Sequence, residues 1–303
     1  MYPCKGKGLF RIALILATVL VFCLAGCASH TRDDSDLHIH VLSAGQADAV
    51  LIRHKTGDFL IDCGDSDGTD RLLSQLQQFH VRQLEALILT HPHEDHIGGA
   101  PVLLETLPVA CIYDNGQESD SPVYAHYRKI AAQKGIDCKT LQRGQVLSWT
   151  DGLTLEIVSP PARGERGYGV LQTSQGRENN FSLVCRLEYG TFSMLFMGDA
   201  EKESERVLLQ YMTSGALRTT VLKNGHHGSR TATTEELVKE AAPSAAVISC
   251  GAGNSFGFPH REVVSLLAAY RIPIYRTDRD GTISIDSDGT SYTIKTAHGD
   301  RTL

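Results

Sequence analysis

The sequence predicts an α/β fold: two β-sheets packed face to face with helices outside, built as two similar halves. Three observations point there. Short runs of β-type alternation separated by glycine turns come first, and strands then alternate with helix-period segments. The second half repeats the sense of the first, with no break in composition to mark two domains.

The elements follow in order. LHIHVLSA (37–44), DAVLIRH (48–54) and DFLID (58–62) read as strands joined in hairpins. DRLLSQLQQF (70–79) spaces its apolar residues as a helix does, and EALILT (85–90) is a short buried strand. A helix begins within IGGAPVLLETL (97–107), VACIYD (109–114) is a strand, and PVYAHYRKIAAQKG (122–135) is an amphipathic helix with a glycine stop. In the second half LTLEIVSP (153–160), FSLVCRLEYG (181–190) and FSMLFMG (192–198) are strands, the last two a hairpin through Tyr189-Gly190-Thr191. A helix over 201–213, strand 219–224, helix 233–242, strand 245–249 and helix 261–270 follow. A final hairpin (282–294) turns at Ser287-Asp288-Gly289. The Gly- and Arg-rich stretch 160–179 lacks periodicity and reads as a long surface loop of the kind that often carries function.

The first 26 residues stand apart. Lys5, Lys7 and Arg11 precede the apolar run IALILATVLVFCLA (12–25), shorter than the ~20 residues a membrane span needs. This is the layout of a signal peptide. Its end, Leu24-Ala25-Gly26-Cys27, resembles the bacterial lipobox, which implies cleavage after Gly26, lipidation of Cys27 and anchoring on the extracytoplasmic face of the membrane. Residues 27–36 then read as a lipidated cysteine with a short polar tether, and 37–303 as one domain. Loss of 1–26 removes three cations and no acid, so the formal charge of −6 becomes −9. That balance argues against a broad basic face for nucleic acid. A hydrophobic content of 42 % excludes a disordered chain. Cys63, Cys111, Cys138, Cys185 and Cys250 remain, an odd number; all but Cys138 lie in apolar runs, so small buried hydrophobes are expected rather than bridges.

The chemistry is concentrated in LTHPHEDHIGG (89–99). His91, His93, Asp95 and His96 fall within six residues, directly after a strand, where one turn can aim all four at one cleft. Imidazole with carboxylate suits zinc, manganese or iron, and four such ligands are enough to begin two adjacent ion sites.

This HxHxDH segment resembles the metallo-β-lactamase superfamily, and within it the hydrolase domain of the ComEC competence proteins. LSAGQADAV (42–50), LIDCG (60–64), FMGDA (196–200), LKNGHHGSRTA (222–232) and GNSFGFPHREVV (253–264) match that branch in order. The resemblance implies a four-layer αββα sandwich and two divalent metal ions, zinc first and manganese second. It assigns His91, His93, Asp95, His96 and the bridging Asp199 as ligands, with Asp62 supporting their loop. His226 and His227 are adjacent, so on an extended segment they would face opposite ways. His226 is expected to bind metal, and His227, with Lys223 and Ser229, to face substrate.

The chain departs from the pattern in places. The superfamily's middle histidine is missing: His126 lies in the amphipathic helix as a surface residue, and Asn180 is the candidate to fill the gap as a weak ligand or transition-state donor. Ser43 and Ala47 replace an Asp and a Gly of the opening turn. Phe258 replaces a histidine, whereas His260 remains as a candidate general acid or substrate contact.

The expected activity is hydrolysis of a phosphodiester, DNA or a cell-wall polymer, by water activated between the two ions. Asp95 would help orient that water and Lys223 would stabilise developing charge. Acyl or amide hydrolysis (β-lactam, lactone or thioester) is the alternative, and a non-catalytic binding lipoprotein comes third. No obligate protein partner is expected.

Overall fold

The computed structural model describes residues 36–149 and 152–299. The leader, Cys27 and all of the tether but Asp36 lie outside the described residues, and among these no helix is long and apolar enough to cross a membrane.

One sheet opens with three antiparallel strands, β1 (Leu37–Val41), β2 (Val50–His54) and β3 (Gly57–Ile61). It continues in parallel through β4 (Ala86–Ile88), β5 (Cys111–Asp114) and β6 (Asp137–Thr140). The second sheet repeats the plan. β7 (Val146–Ser148), β8 (Leu153–Ser159), β9 (Val184–Tyr189) and β10 (Phe192–Phe196) are antiparallel. β11 (Val221–Lys223), β12 (Ala245–Ile248) and β13 (Ile274–Arg276) extend it in parallel. The last hairpin, β14 (Ile283–Ser287) and β15 (Tyr292–Thr296), returns to the first sheet, where β14 pairs with β1.

Period-2 alternation explains the layers. Leu37, Ile39 and Val41 of β1 join Leu153, Leu155 and Ile157 of β8 and Met194 and Phe196 of β10 in one core between the sheets. Residues of opposite phase, such as Leu51 and Leu60, pack outward under helices. Those helices are α1 (Thr69–Gln78), α2 (Glu94–Ile97), α3 (Ala100–Thr106) and α4 (Pro122–Lys134). In α1 the i, i+4 pair Leu72 and Leu76 is buried, worth ~1.5–3 kcal/mol for each side chain. Gly135, at φ 67°, ends α4 in the left-handed conformation that glycine adopts freely.

Across the other sheet lie α5 (Tyr168–Gln172), α6 (Arg177–Asn180), α7 (Lys202–Tyr211), α8 (Glu235–Ala241) and α9 (Arg261–Ala269), with the short α10 (Thr277–Asp280) after β13. Thr234 caps α8, its hydroxyl accepting from the Leu237 amide. Helices therefore cover both outer faces, and the four-layer sandwich is the observed fold.

Four details differ from the sequence reading. The expected loop 160–179 carries α5 and reaches into α6, because Leu171 docks with Phe181 and Val207 as a small satellite core. The expected helix start at Ile97 is the end of α2, and α3 begins after Gly99. A Cβ at Gly99 would lie 2.3 Å from the Cys63 carbonyl. β6 and β7 escape the pattern because they are short and mostly exposed. Cys111, expected as a small buried hydrophobe, is only half-buried at the start of an edge-proximal strand; the five cysteines among the described residues are all free thiols.

His40 gives the fold a pH sensitivity of its own. Its ring stacks on Phe79 at 3.9 Å and its Nδ1 meets Ser284 Oγ at 2.8 Å. Burial pushes its pKa down from 6.5 to about 4, against the pull of Asp286. Below pH 6.5 the unfolded chain takes up a proton that the folded chain refuses, so this contribution is complete above 6.5 and is lost toward pH 4. The loss amounts to roughly 3 kcal/mol. Urea midpoints should fall less between pH 7 and 4.5 in His40→Gln than in the wild type; equal falls would contradict this account.

Candidate active site

The site residues leave the carboxyl ends of the parallel strands. Asp62 follows β3, His91 to His96 follow β4, Asp199 follows β10, His226 and His227 follow β11, and Ser249 follows β12. Three of them hold left-handed backbone without being glycine: Asp62 (φ 56°), His226 (45°) and His227 (53°). Strained backbone of this kind persists where its surroundings over-determine it, as at binding sites. Gly198, at φ 51°, brings Asp199 into place; a Cβ there would stand 3.0 Å from that of Ser182 and 3.2 Å from that of Thr90.

Asp199 is the centre. Its Oδ1 lies 3.3 Å from His96 Nε2 and 3.7 Å from His227 Nε2, and its Oδ2 lies 3.9 Å from His91 Nε2 and 3.8 Å from His226 Nε2. Asp95, His96, Asp199 and His227 bring four ligand-type atoms within 4.8 Å of one another, and His91, His93 and Asp199 form a second such group.

Each of the five imidazoles is fixed from behind by an oxygen. His96 Nδ1 donates to Asp62 Oδ2 at 2.8 Å, and His91 Nδ1 to Thr90 Oγ1 at 3.2 Å; that hydroxyl itself donates to Asp62. His227 Nδ1 donates to the Ser249 carbonyl at 3.1 Å, His226 Nδ1 to Glu201 at 2.9 Å, and His93 Nε2 to Glu178 at 2.8 Å. This pattern sets the tautomer and turns the opposite nitrogen inward as a lone pair. His91 Nε2 and His93 Nδ1 then face each other at 3.0 Å, an arrangement that calls for a cation.

The acids of the cluster favour positive charge at its centre, whether a proton or a metal ion. Burial opposes charge on His96, yet Asp199, Asp62 and Asp95 carry its pKa well above 6.5. Asp199 is buried too, and the imidazoles of His96 and His227 hold its carboxyl well below the usual range. Burial drives His91 well below 6.5, leaving it neutral and ready to donate its lone pair. His96 Nε2 and Asp199 Oδ1 are buried without a hydrogen-bond partner, polar atoms that a bound cation would satisfy. The donor set therefore fits divalent metals.

The structure corrects several expected roles. His227 is not turned to substrate: it is 1 % exposed and its Nε2 lies 3.1 Å from Asp95 Oδ2. His226 stands beside the second group at Asp199 Oδ2, half-buried. The pair sits in a tight left-handed turn instead of an extended segment, so both rings reach Asp199 from either side. Lys223, also 1 % exposed, is not in the cleft. Its Nζ donates to Asp48 Oδ2 at 2.7 Å, and Asp48 Oδ1 lies 3.6 Å from His227 Nδ1.

Asn180 is fully buried and spent on the backbone, its Oδ1 accepting from the Glu201 and Ser204 amides and its Nδ2 donating to the Gln175 and Gly176 carbonyls. It is neither ligand nor transition-state donor here. Ser229 is buried against Thr231, with 2.9 Å between the hydroxyl oxygens. His260 lies outside the cluster, its Nδ1 accepting from the Arg230 amide; the ring of Phe258 contacts both His260 (5.1 Å) and His226 (5.5 Å). Asp62 lies where a supporting residue should. Sequence reasoning missed Asp48, Thr90, Glu178 and Glu201, and gave Phe258 no role beyond replacing a histidine; Asp48, an acid inside the apolar run ADAVLI, was the one with a readable signal.

The family described as Metallo-beta-lactamase superfamily matches residues 42–252. The chain belongs to that superfamily. It is 32 % identical over 267 residues to ComE operon protein 3 of Bacillus subtilis (strain 168), covering 82 % of this chain and 33 % of the relative. It is 29 % identical over 282 residues to Recombination protein 2 of Haemophilus influenzae, covering 91 % and 31 %. The chain thus spans about a third of the length of these relatives. The metallo-beta-lactamase fold protein YhfI from Bacillus subtilis superposes with a TM-score of 0.53 at 13 % identity, over 82 % of this chain and all of that one, a likeness of fold. This metallo-beta-lactamase chain has the superfamily's metal-dependent hydrolase fold, with a His/Asp cluster that implies divalent metals.

Proposed function

We propose that this protein is a dinuclear metallohydrolase of phosphodiesters, held at the extracytoplasmic face of the membrane by lipid on Cys27. The observation that carries the catalytic part is the anchoring of five imidazoles around one two-faced carboxylate. In this reading His91, His93, His226 and Asp199 would hold one ion, and Asp95, His96, His227 and Asp199 would hold the other. Zinc suits the nitrogen-rich set, and manganese is the second choice. Such ions supply Lewis acidity and lower the pKa of a water.

The chain's own residues do the rest. Asp62 and Thr90 keep His91 and His96 in their ligating tautomers, and Glu178, Glu201 and the Ser249 carbonyl do the same for His93, His226 and His227. Asp95, despite its burial, is kept ionised by His96 and His227, so it is available to orient a water by accepting its proton in a hydrogen bond. His93 and Asp95 keep 40 % and 33 % of their side chains exposed, whereas His91, His96 and His227 are sealed, so substrate approaches from the His93–Asp95 side. Phe258 packs beside the His226–His227 pair as an apolar wall.

Support for phosphodiesters comes from likeness to the competence-protein branch, through its HHGS segment and its 32 % identity with ComE operon protein 3. The purified protein loaded with zinc or manganese should hydrolyse bis-p-nitrophenyl phosphate and nick or degrade single-stranded DNA. Turnover of nitrocefin, lactones or thioesters with none of the phosphodiesters would overturn the assignment in favour of acyl hydrolysis.

A further inference from the structure

Beyond His93 the carboxyl-end edge of the first sheet continues into a cavity of about 590 Å³, well inside the ~300–1,000 Å³ range of small-molecule sites. One wall follows β5 and β6, with Gln117, Thr140 and Gln142; the other is the 160–181 segment, with Arg163, Tyr168, Arg177 and Phe181. Its link to the active site is direct in the chain: Arg177 is followed by Glu178, which holds His93 at 2.8 Å.

Its charge, an unspent amide donor and an aromatic face set this cavity apart. Arg163 and Arg177 are exposed, and neither has a carboxylate within ion-pair distance among the described residues. Glu118 is the only acid among the lining residues, so the cavity carries net positive charge on a protein that is acidic overall. Gln117, on the cavity wall, has an Nε2 with no hydrogen-bond partner while its Oε1 accepts from Asn115 Nδ2 at 2.7 Å, so this side chain keeps unspent donor capacity. Tyr168, half-buried, is fixed edge-on against Phe181 at 5.2 Å, a rigid aromatic surface on the same wall.

Paired guanidinium groups fit phosphate oxygens, an aromatic ring fits the face of a base, and amides fit its edge. We propose that this cavity is a substrate subsite for the nucleotide unit next to the scissile phosphodiester. Its non-scissile phosphate lies on Arg163 and Arg177, its base against Tyr168 and Gln117. The proposal rests on the phosphodiesterase reading and narrows it to a single strand, because a cavity of this size admits one unsheathed nucleotide and the overall negative charge disfavours a duplex.

The test compares metal-loaded wild type with the Arg163→Gln/Arg177→Gln variant, both substitutions being at exposed positions outside the metal cluster. Binding is read by anisotropy with a fluorescein-labelled, phosphorothioate-linked octathymidylate, which keeps its charges and resists cleavage. Turnover is read with bis-p-nitrophenyl phosphate, which has one phosphate and so leaves the position held by Arg163 and Arg177 empty. The variant should bind the oligonucleotide roughly tenfold or more weakly, with turnover of the small diester unchanged. Equal binding by both proteins, an equal fall in both readouts, or tighter binding of an oligo(glycerol phosphate) than of the octathymidylate would overturn the proposal. Arginine-dependent binding without hydrolysis of any phosphodiester would instead refute the phosphodiesterase reading and leave the subsite standing.

Discussion

Replacing Asp199 with alanine should reduce kcat/KM by at least ~10³-fold while leaving the fold intact, because one carboxylate serves both halves of the cluster. Oδ1 faces His96 and His227, and Oδ2 faces His91 and His226, so no other side chain can substitute for both oxygens. Asp199 is 2 % exposed among imidazoles whose far nitrogens are already anchored by Asp62, Thr90, Glu178, Glu201 and Ser249. Its removal therefore leaves the rings in place, and the circular dichroism spectrum should match the wild type. Full activity in Asp199→Ala would refute the bridging role. A variant that fails to fold would show that the carboxylate is needed structurally, and Asp199→Asn, which preserves shape and one oxygen, then reports on chemistry alone.

The second large effect is on stability. Lys223 and Asp48 form an ion pair of 2.7 Å in which both residues are at most 3 % exposed. Burial opposes ionisation of Asp48, and the Lys223 ammonium is the main force keeping its carboxyl low. Lys223→Met strands that charge and should cost ~3–5 kcal/mol, about 10 °C in Tm. Adding Asp48→Asn should recover much of the loss, since the stranded charge is then gone. A Lys223→Met protein that keeps its Tm but loses activity would instead restore the lysine to a role at the reacting atoms. Asp48 also lies beside His227, so the double variant should be stable yet weaker in metal affinity.

How much of this was legible in the sequence depends on whether the signal is local. His91, His93, Asp95 and His96 could be read directly, because one turn at the end of β4 places them together and chain proximity is enough. The sandwich could be read too, since period-2 strands such as LHIHV and helix-period segments such as RLLSQLQQF bury opposite kinds of face. Partners joined only through space could not. Glu178 and His93 are 85 positions apart, Asp48 and Lys223 175, so nothing in either segment announces the pair.

Residue type also misled where burial decides. A lysine inside a family motif and an asparagine near a missing histidine look like tools for substrate, but Lys223 and Asn180 have their polar atoms turned to Asp48 and to backbone. The histidine pair was misjudged through its assumed backbone: adjacent side chains diverge on an extended strand, whereas two left-handed residues in succession bring both rings to one carboxylate. α5 and the short strands β6 and β7 were invisible because few of their residues are buried, leaving no periodicity to read.

The arrangement around Asp199 would suit two ions sharing its carboxylate. Metal content of the purified full-length protein, measured by inductively coupled plasma mass spectrometry after equilibration with zinc or manganese, tests it most directly. The wild-type chain should hold close to two ions and Asp199→Ala less than one; a wild-type chain that retains none would contradict a two-ion centre.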